Sequence, residues 1–119
     1  MSQEIRDFKD LLVWQKGMAL TKLIYRLTTK FPGEERYGLT SQLRRAAVLI
    51  PSNIAEGHAR HGREFARFLS IARGSLAEVE TQLIIAAELN YVQQTEIEPI
   101  LCEATEIRKM SAAIIAKLC

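Results

Sequence analysis

The side chains best spaced to do chemistry are cationic. Lys22, Arg26 and Lys30 recur every four residues, which on a helix sets them in one ladder along a face. Arg60, Arg63 and Arg67 form a second series, with Arg44 and Arg45 near it in sequence. A guanidinium binds phosphate through parallel N–H donors, so both series are candidate nucleic-acid contacts. The competing reading is that these cations only solvate a helical surface or pair with glutamates. Aromatic residues suited to base stacking are not interleaved with the ladders, so the binding expected is non-specific and salt-sensitive.

Other chemistries find less support. His58, His61 and Glu64 are three apart and would share a helix face, but Gly57 and Gly62 flank them, and Arg60 and Arg63 would repel a cation. Zinc needs three or four ligands in register, so no metal and no cofactor is expected. Aspartate occurs only at Asp7 and Asp10, which leaves a Ser-His-Asp triad dependent on the N-terminal segment. There is no glycine-rich phosphate loop or nucleophile elbow, and Glu78 and Glu80 point to different flanks of their helix. No catalytic residue is assigned. Asn53 and Glu56 lie beside the kink expected at Pro51 and are read as structural, satisfying freed backbone groups or pairing with Arg44 or Arg45.

A chain of 119 residues can close one core without staples, and a single domain over residues 1–119 is expected. Hydrophobic residues at 48% and charged residues at 25% exclude a disordered chain. No apolar run nears the roughly 20 residues of a membrane span, and the first residues lack a signal-peptide core. A cytoplasmic protein is the expectation. Cys102 and Cys119 lie 17 residues apart in one helical segment, about 25 Å along its axis. They cannot bridge each other there; Cys102 is expected half-buried and Cys119 at the frayed end. Residues 1–73 hold 13 Lys and Arg against 7 Asp and Glu, while residues 74–119 hold 3 against 7. Such asymmetry marks either a polyanion-binding face or helices that attract one another.

The elements that carry these residues are read from punctuation and period. Pro32-Gly33 to Gly38, Gly57 to Gly62, and Asn90-Tyr91 divide the chain into helices near 8–30, 39–58, 63–90 and 94–118. Sustained two-residue alternation is absent, so the fold class is all-α. In the third segment Phe65, Ala72, Val79 and Ala86 recur every seven residues, as do Leu69, Leu76 and Leu83, forming one stripe. The first carries Phe8, Leu11, Trp14, Met18, Leu23, Ile24 and Leu27. The fourth carries Ile97, Leu101, Ala104, Ile107, Ser111, Ile114 and Leu118, with Thr95 placed to cap its start. Leu39, Leu43, Ala47, Ile50 and Ile54 make the core face of the second, where Pro51 predicts a kink, or a break restarted at the proline. Short connections favour an up-down-up-down four-helix bundle.

Two faces have more to bury than one core. Val48 and Leu49 point away from the core face of the second helix. Opposite the third helix's stripe lie Ala66, Ser70, Gly74, Ala77 and Thr81, all small, with Ile84 and Ile85 beside them. Glycine in a helix interior costs about 1 kcal/mol against alanine, and close approach of another backbone would compensate. Self-association through Val48, Leu49, Ser70, Gly74, Ala77, Thr81 and Ile85 is expected; an alanine-rich solvated face is the alternative.

Three strings carry a family resemblance. They are Leu12-Val13-Trp14-Gln15-Lys16, the run from Tyr37-Gly38-Leu39-Thr40-Ser41-Gln42-Leu43 through Ile50-Pro51-Ser52-Asn53-Ile54-Ala55-Glu56-Gly57, and Phe65-Ala66-Arg67-Phe68-Leu69 through Glu78. Together they resemble the four-helix-bundle proteins encoded by intervening sequences of bacterial 23S ribosomal RNA genes, over nearly the whole chain from about Phe8 to Leu118. Leu49 departs from the pattern, since relatives often place a serine before the Ile-Pro. The resemblance implies a bundle assembled as a ring, often a pentamer. It also implies kinship with the accessory protein of diversity-generating retroelements, a basic barrel that binds nucleic acid and a reverse transcriptase. The expected partners are therefore a second copy of the chain, RNA or DNA, and a protein partner. The reading reached is a non-enzymatic homo-oligomer binding nucleic acid or a ribonucleoprotein through repeated basic patches, with a protein-interaction scaffold as its rival.

Overall fold

The computed structural model describes residues 4–119. Four helices carry the fold: α1 (Leu12–Thr28), α2 (Leu39–Arg60), α3 (Gly62–Glu88) and α4 (Gln94–Leu118), with 3-10 turns at Phe8–Asp10 and Gly33–Glu35. No strand occurs among the described residues, and the architecture is an all-α four-helix bundle. Each helix packs on its chain neighbours, and α1 closes the ring of contacts against α4. Gly17 faces Ile50 and Pro51 while Thr28 meets Arg44, so α1 and α2 run in opposite directions. Likewise Lys16 pairs with Glu103 and Glu106 and Lys30 with Glu96, which sets α1 and α4 antiparallel.

The seven-residue rows of α3 are buried throughout, from Phe65 and Leu69 to Leu83 and Ala86. The first helix differs from its expected phase. Its buried row is Val13, Gly17, Leu20, Ile24 and Leu27, while Leu11, Trp14 and Leu23 are only partly covered. The row passes through Gly17, which has no side chain to reveal it. Phe8 belongs to the separate turn, where its ring meets Trp14 edge-on at 5.3 Å. Leu11 between them is extended, so α1 begins at Leu12 and not at 8.

Helix α2 runs unbroken through Pro51; no restart occurs at the proline. A proline at 51 cannot donate to the Ala47 carbonyl. That carbonyl instead lies 3.2 Å from Thr21 Oγ1 on α1, a hydroxyl also 2.8 Å from Gly17 O. Thr21→Val should therefore leave a largely desolvated acceptor without a donor and cost about 1 kcal/mol. Urea unfolding, with Thr21→Ser as the variant that restores the hydroxyl, measures it.

The connections are short and specified. A single residue, His61 (φ 63°, ψ 167°), joins α2 to α3, and Gly57 lies inside α2 instead of ending it. Helix α3 ends on Asn90 at φ 63°. There the N–H groups of Tyr91 and Asn90 donate to Ala86 O and Ala87 O, the paired closure of a left-handed C-terminus. Helix α4 opens at Gln93, whose N–H donates to Glu96 Oε1 at 2.9 Å. Thr95 sits inside the first turn and is not the cap. Glu35 binds the first N–H of α2 at Leu39 and accepts from Tyr91 Oη at 2.8 Å. The Leu39 N–H, then the Tyr91 hydroxyl, hold its carboxyl below the usual range.

Candidate functional site

The two cationic series occupy different parts of the bundle. Lys22, Arg26 and Lys30 are exposed on α1 along its groove with α4, whose apolar floor includes Leu23, Leu27, Pro99 and Ile100. Glu96 and Glu103 stand on the opposite wall. Lys30 pairs with Glu96 and, ahead of the Gln93 N–H, holds its carboxyl below the usual range. The ladder is thus one wall of a mixed-charge groove, not an unbroken cationic strip. Lys22 and Arg26 make no ion pair among the described residues.

Arg44 and Arg45 diverge although adjacent. Arg44 is half-buried: its Nε donates to Thr28 Oγ1 at 2.8 Å and its Nη2 to Tyr25 O at 3.3 Å. Its guanidinium carbon stands 4.6 Å from the Tyr25 ring centroid. The side chain is committed to tying α2 to the last turn of α1. Arg45 is exposed, lines the α2–α3 groove with Leu49, Glu78 and Gln82, and has no ion pair among the described residues.

The second series gathers at the α2–α3 joint. Arg60 pairs with Glu56 at 3.5 Å and Arg67 with Glu64 at 2.8 Å. The Arg67 hydrogen bond holds the Glu64 carboxyl below its usual range. Both guanidiniums stand over the Phe68 ring, at 5.2 and 4.8 Å from its centroid. Arg63 is exposed between them in sequence and unpaired among the described residues. Interleaved aromatics are present after all, as Phe65 and Phe68, but both rings are buried. Phe68 supports arginines, and Phe65 meets the edge of His58 at 5.6 Å. Sequence reading missed Phe68 because it falls off the seven-residue rows; its adjacency to Arg67 was the available signal. No three His, Cys, Asp or Glu side chains gather as a metal site among the described residues.

Asn53 and Glu56 make local contacts. Asn53 Nδ2 donates to Leu49 O at 2.7 Å, and Glu56 pairs with Arg60, not with Arg44 or Arg45. The carbonyl freed by Pro51 is served by Thr21 instead.

The outer face of α3 exposes Ser70, Gly74, Ala77, Thr81 and Ile85. Ile71, Ile84 and Ile85 there are 41–43% exposed, and a Cβ added at Gly74 would meet nothing within 4 Å. Ala66, expected in the same row, is buried. Val48 and Leu49 occupy opposite shoulders of α2. Val48 lines the α1–α2 groove with Trp14, Met18 and Pro51, and only Leu49 adjoins α3. Gln82 Oε1 lies buried beside Leu49 with no hydrogen-bond partner among the described residues. Cys102 is exposed, like Cys119, and not half-buried, since it faces away from the Ile100–Ala104 row. No helix among the described residues is long and apolar enough to cross a membrane.

No curated protein matches the chain. A solved structure of a protein of unknown function from the S23 ribosomal protein family of Bacteroides thetaiotaomicron superposes with a TM-score of 0.77. It is 24% identical, over 87% of this chain and 98% of that one, and the likeness bears on the fold alone. The family model described as 23S rRNA-intervening sequence protein matches residues 9–113, a span that takes in both cationic series and the greater part of all four helices. The chain therefore belongs to the 23S rRNA-intervening sequence protein family.

Proposed function

We propose that this chain is a non-catalytic, cytoplasmic homo-oligomer that holds nucleic acid, or a ribonucleoprotein, by phosphate contacts repeated around a ring. The supporting observation is a division among the cations. Lys30, Arg44, Arg60 and Arg67 are used within the chain, whereas Lys22, Arg26, Arg45 and Arg63 are exposed and lack an acidic partner among the described residues. A few unpaired cations per copy bind phosphate weakly, and repetition makes weak contacts effective through avidity. The outer face of α3 is the surface that joins copies, a pentamer being the arrangement the resemblance implies. Exposed unpaired thiols at Cys102 and Cys119 suit a reducing compartment. The family description names an RNA gene context, which is consistent with an RNA-associated role.

The second reading is a protein-interaction scaffold, favoured by the exposed isoleucines of α3. Arg26→Glu combined with Arg63→Glu separates the two. Fluorescence anisotropy with structured RNA and duplex DNA should show binding that weakens steeply with salt. The double variant should bind about ten-fold more weakly at low salt while sedimenting like the wild type. Undiminished binding by that variant would remove these cations from the role, and absence of binding by the wild type at low salt would leave the scaffold.

A further inference from the structure

The paired arginines at the α2–α3 joint are poorly suited to hold phosphate. Glu56 takes one donor of Arg60, Nη2 at 3.5 Å, and Glu64 one donor of Arg67, Nε at 2.8 Å, and the two carboxylates compensate their charge. Phe68 backs both guanidiniums. Yet their side chains remain 51% and 59% exposed. What each offers to solvent is a half-exposed, delocalised cation that touches a carboxylate and stands over a buried ring. A planar guanidinium stacks on the π-face of an unpaired base, and such stacking tolerates any base. Arg63, four residues before Arg67 on α3, exposed and without a carboxylate partner among the described residues, is the cation nearest in sequence for the adjoining phosphate.

We propose that Arg60 and Arg67, seated over Phe68, are stacking platforms for unpaired nucleobases, so that the ligand of this corner is single-stranded nucleic acid. The inference rests on the nucleic-acid reading above and specifies its ligand. A duplex keeps its bases stacked on one another and presents only phosphates and groove edges to this surface. Lysine in place of either arginine keeps the positive charge but has no planar face.

The test compares labelled RNA and DNA oligonucleotides of equal length in three forms: single-stranded, duplex, and single-stranded with the bases replaced by abasic sites. Anisotropy titrations of the full chain should show the base-bearing strand bound at least about ten-fold more tightly than its abasic counterpart. Arg60→Lys with Arg67→Lys should abolish that difference and leave abasic-strand affinity unchanged, with circular dichroism confirming the fold. Equal affinity of the wild type for base-bearing and abasic strands would overturn the stacking assignment while leaving phosphate binding in place. No binding to any form at low salt would overturn both. The wild-type comparison needs no variant, so a destabilised double mutant does not blunt the test. RNA and DNA arms that differ identify a contribution from the 2′-hydroxyl without altering the stacking result.

Discussion

Gly57→Ala should lower the unfolding free energy by about 2 kcal/mol, the balance of about 3 from overpacking against about 1 gained in helix propensity. The added Cβ would lie 2.7 Å from Phe68 Cβ, 3.1 Å from Phe65 Cδ1 and 3.3 Å from Phe65 O. Two of those atoms are a Cβ and a backbone carbonyl, so no rotamer change relieves the contact. Helices α2 and α3 must move apart next to their one-residue joint. Gly17→Ala is the matched control: its Cβ would sit at 3.5 Å from Ile50 and Pro51, ordinary contact distance. Urea unfolding of the three proteins measures the difference, and a Gly57→Ala midpoint at or above that of the wild type would refute the close crossing. The strain also falls on Phe68, which seats Arg60 and Arg67, so discrimination between base-bearing and abasic strands should weaken in the same variant.

The Gly74→Leu, Ala77→Leu double variant should weaken self-association on the order of a hundred-fold or more, equivalent to about 3 kcal/mol per interface. Both positions are exposed on α3, and nothing within 4 Å awaits a side chain at Gly74. Within one copy the leucines therefore enter open space, and replacing glycine in a helix interior favours the helix by about 1 kcal/mol. In the proposed oligomer they would hold apart the two α3 backbones. The expected signature is split: helical content holds while the sedimentation coefficient falls to that of one copy. Wild-type protein that stays monomeric at high concentration would sink the interface, and double-variant protein that assembles normally would move it away from this face.

The α3 rows are legible in sequence because a helix repeats its buried side every seven residues whatever it packs against. Asn90-Tyr91 and the 32–38 segment are legible as breaks because their conformational demands are local. Gly57 misleads for the same reason: a glycine that permits a close crossing looks in sequence like one that ends a helix. The buried row of α1 is hidden because it runs through Gly17, where the packing surface is backbone. Neither Thr21's service to Ala47 nor Phe68's position beneath two arginines leaves any periodic trace.

Local pattern along the chain, then, determined the helical class, most of the third and fourth helices' buried faces, and the strings that carry the family likeness. The standing of each cation was decided by the tertiary structure. Lys30 and Glu96 are 66 positions apart, and Arg44 meets Thr28 across 16. An arginine or lysine has the same intrinsic chemistry wherever it stands on a helix. Whether its charge is spent inside the molecule depends on which acidic or carbonyl groups the neighbouring helices bring within reach, and that is settled only when the four helices pack.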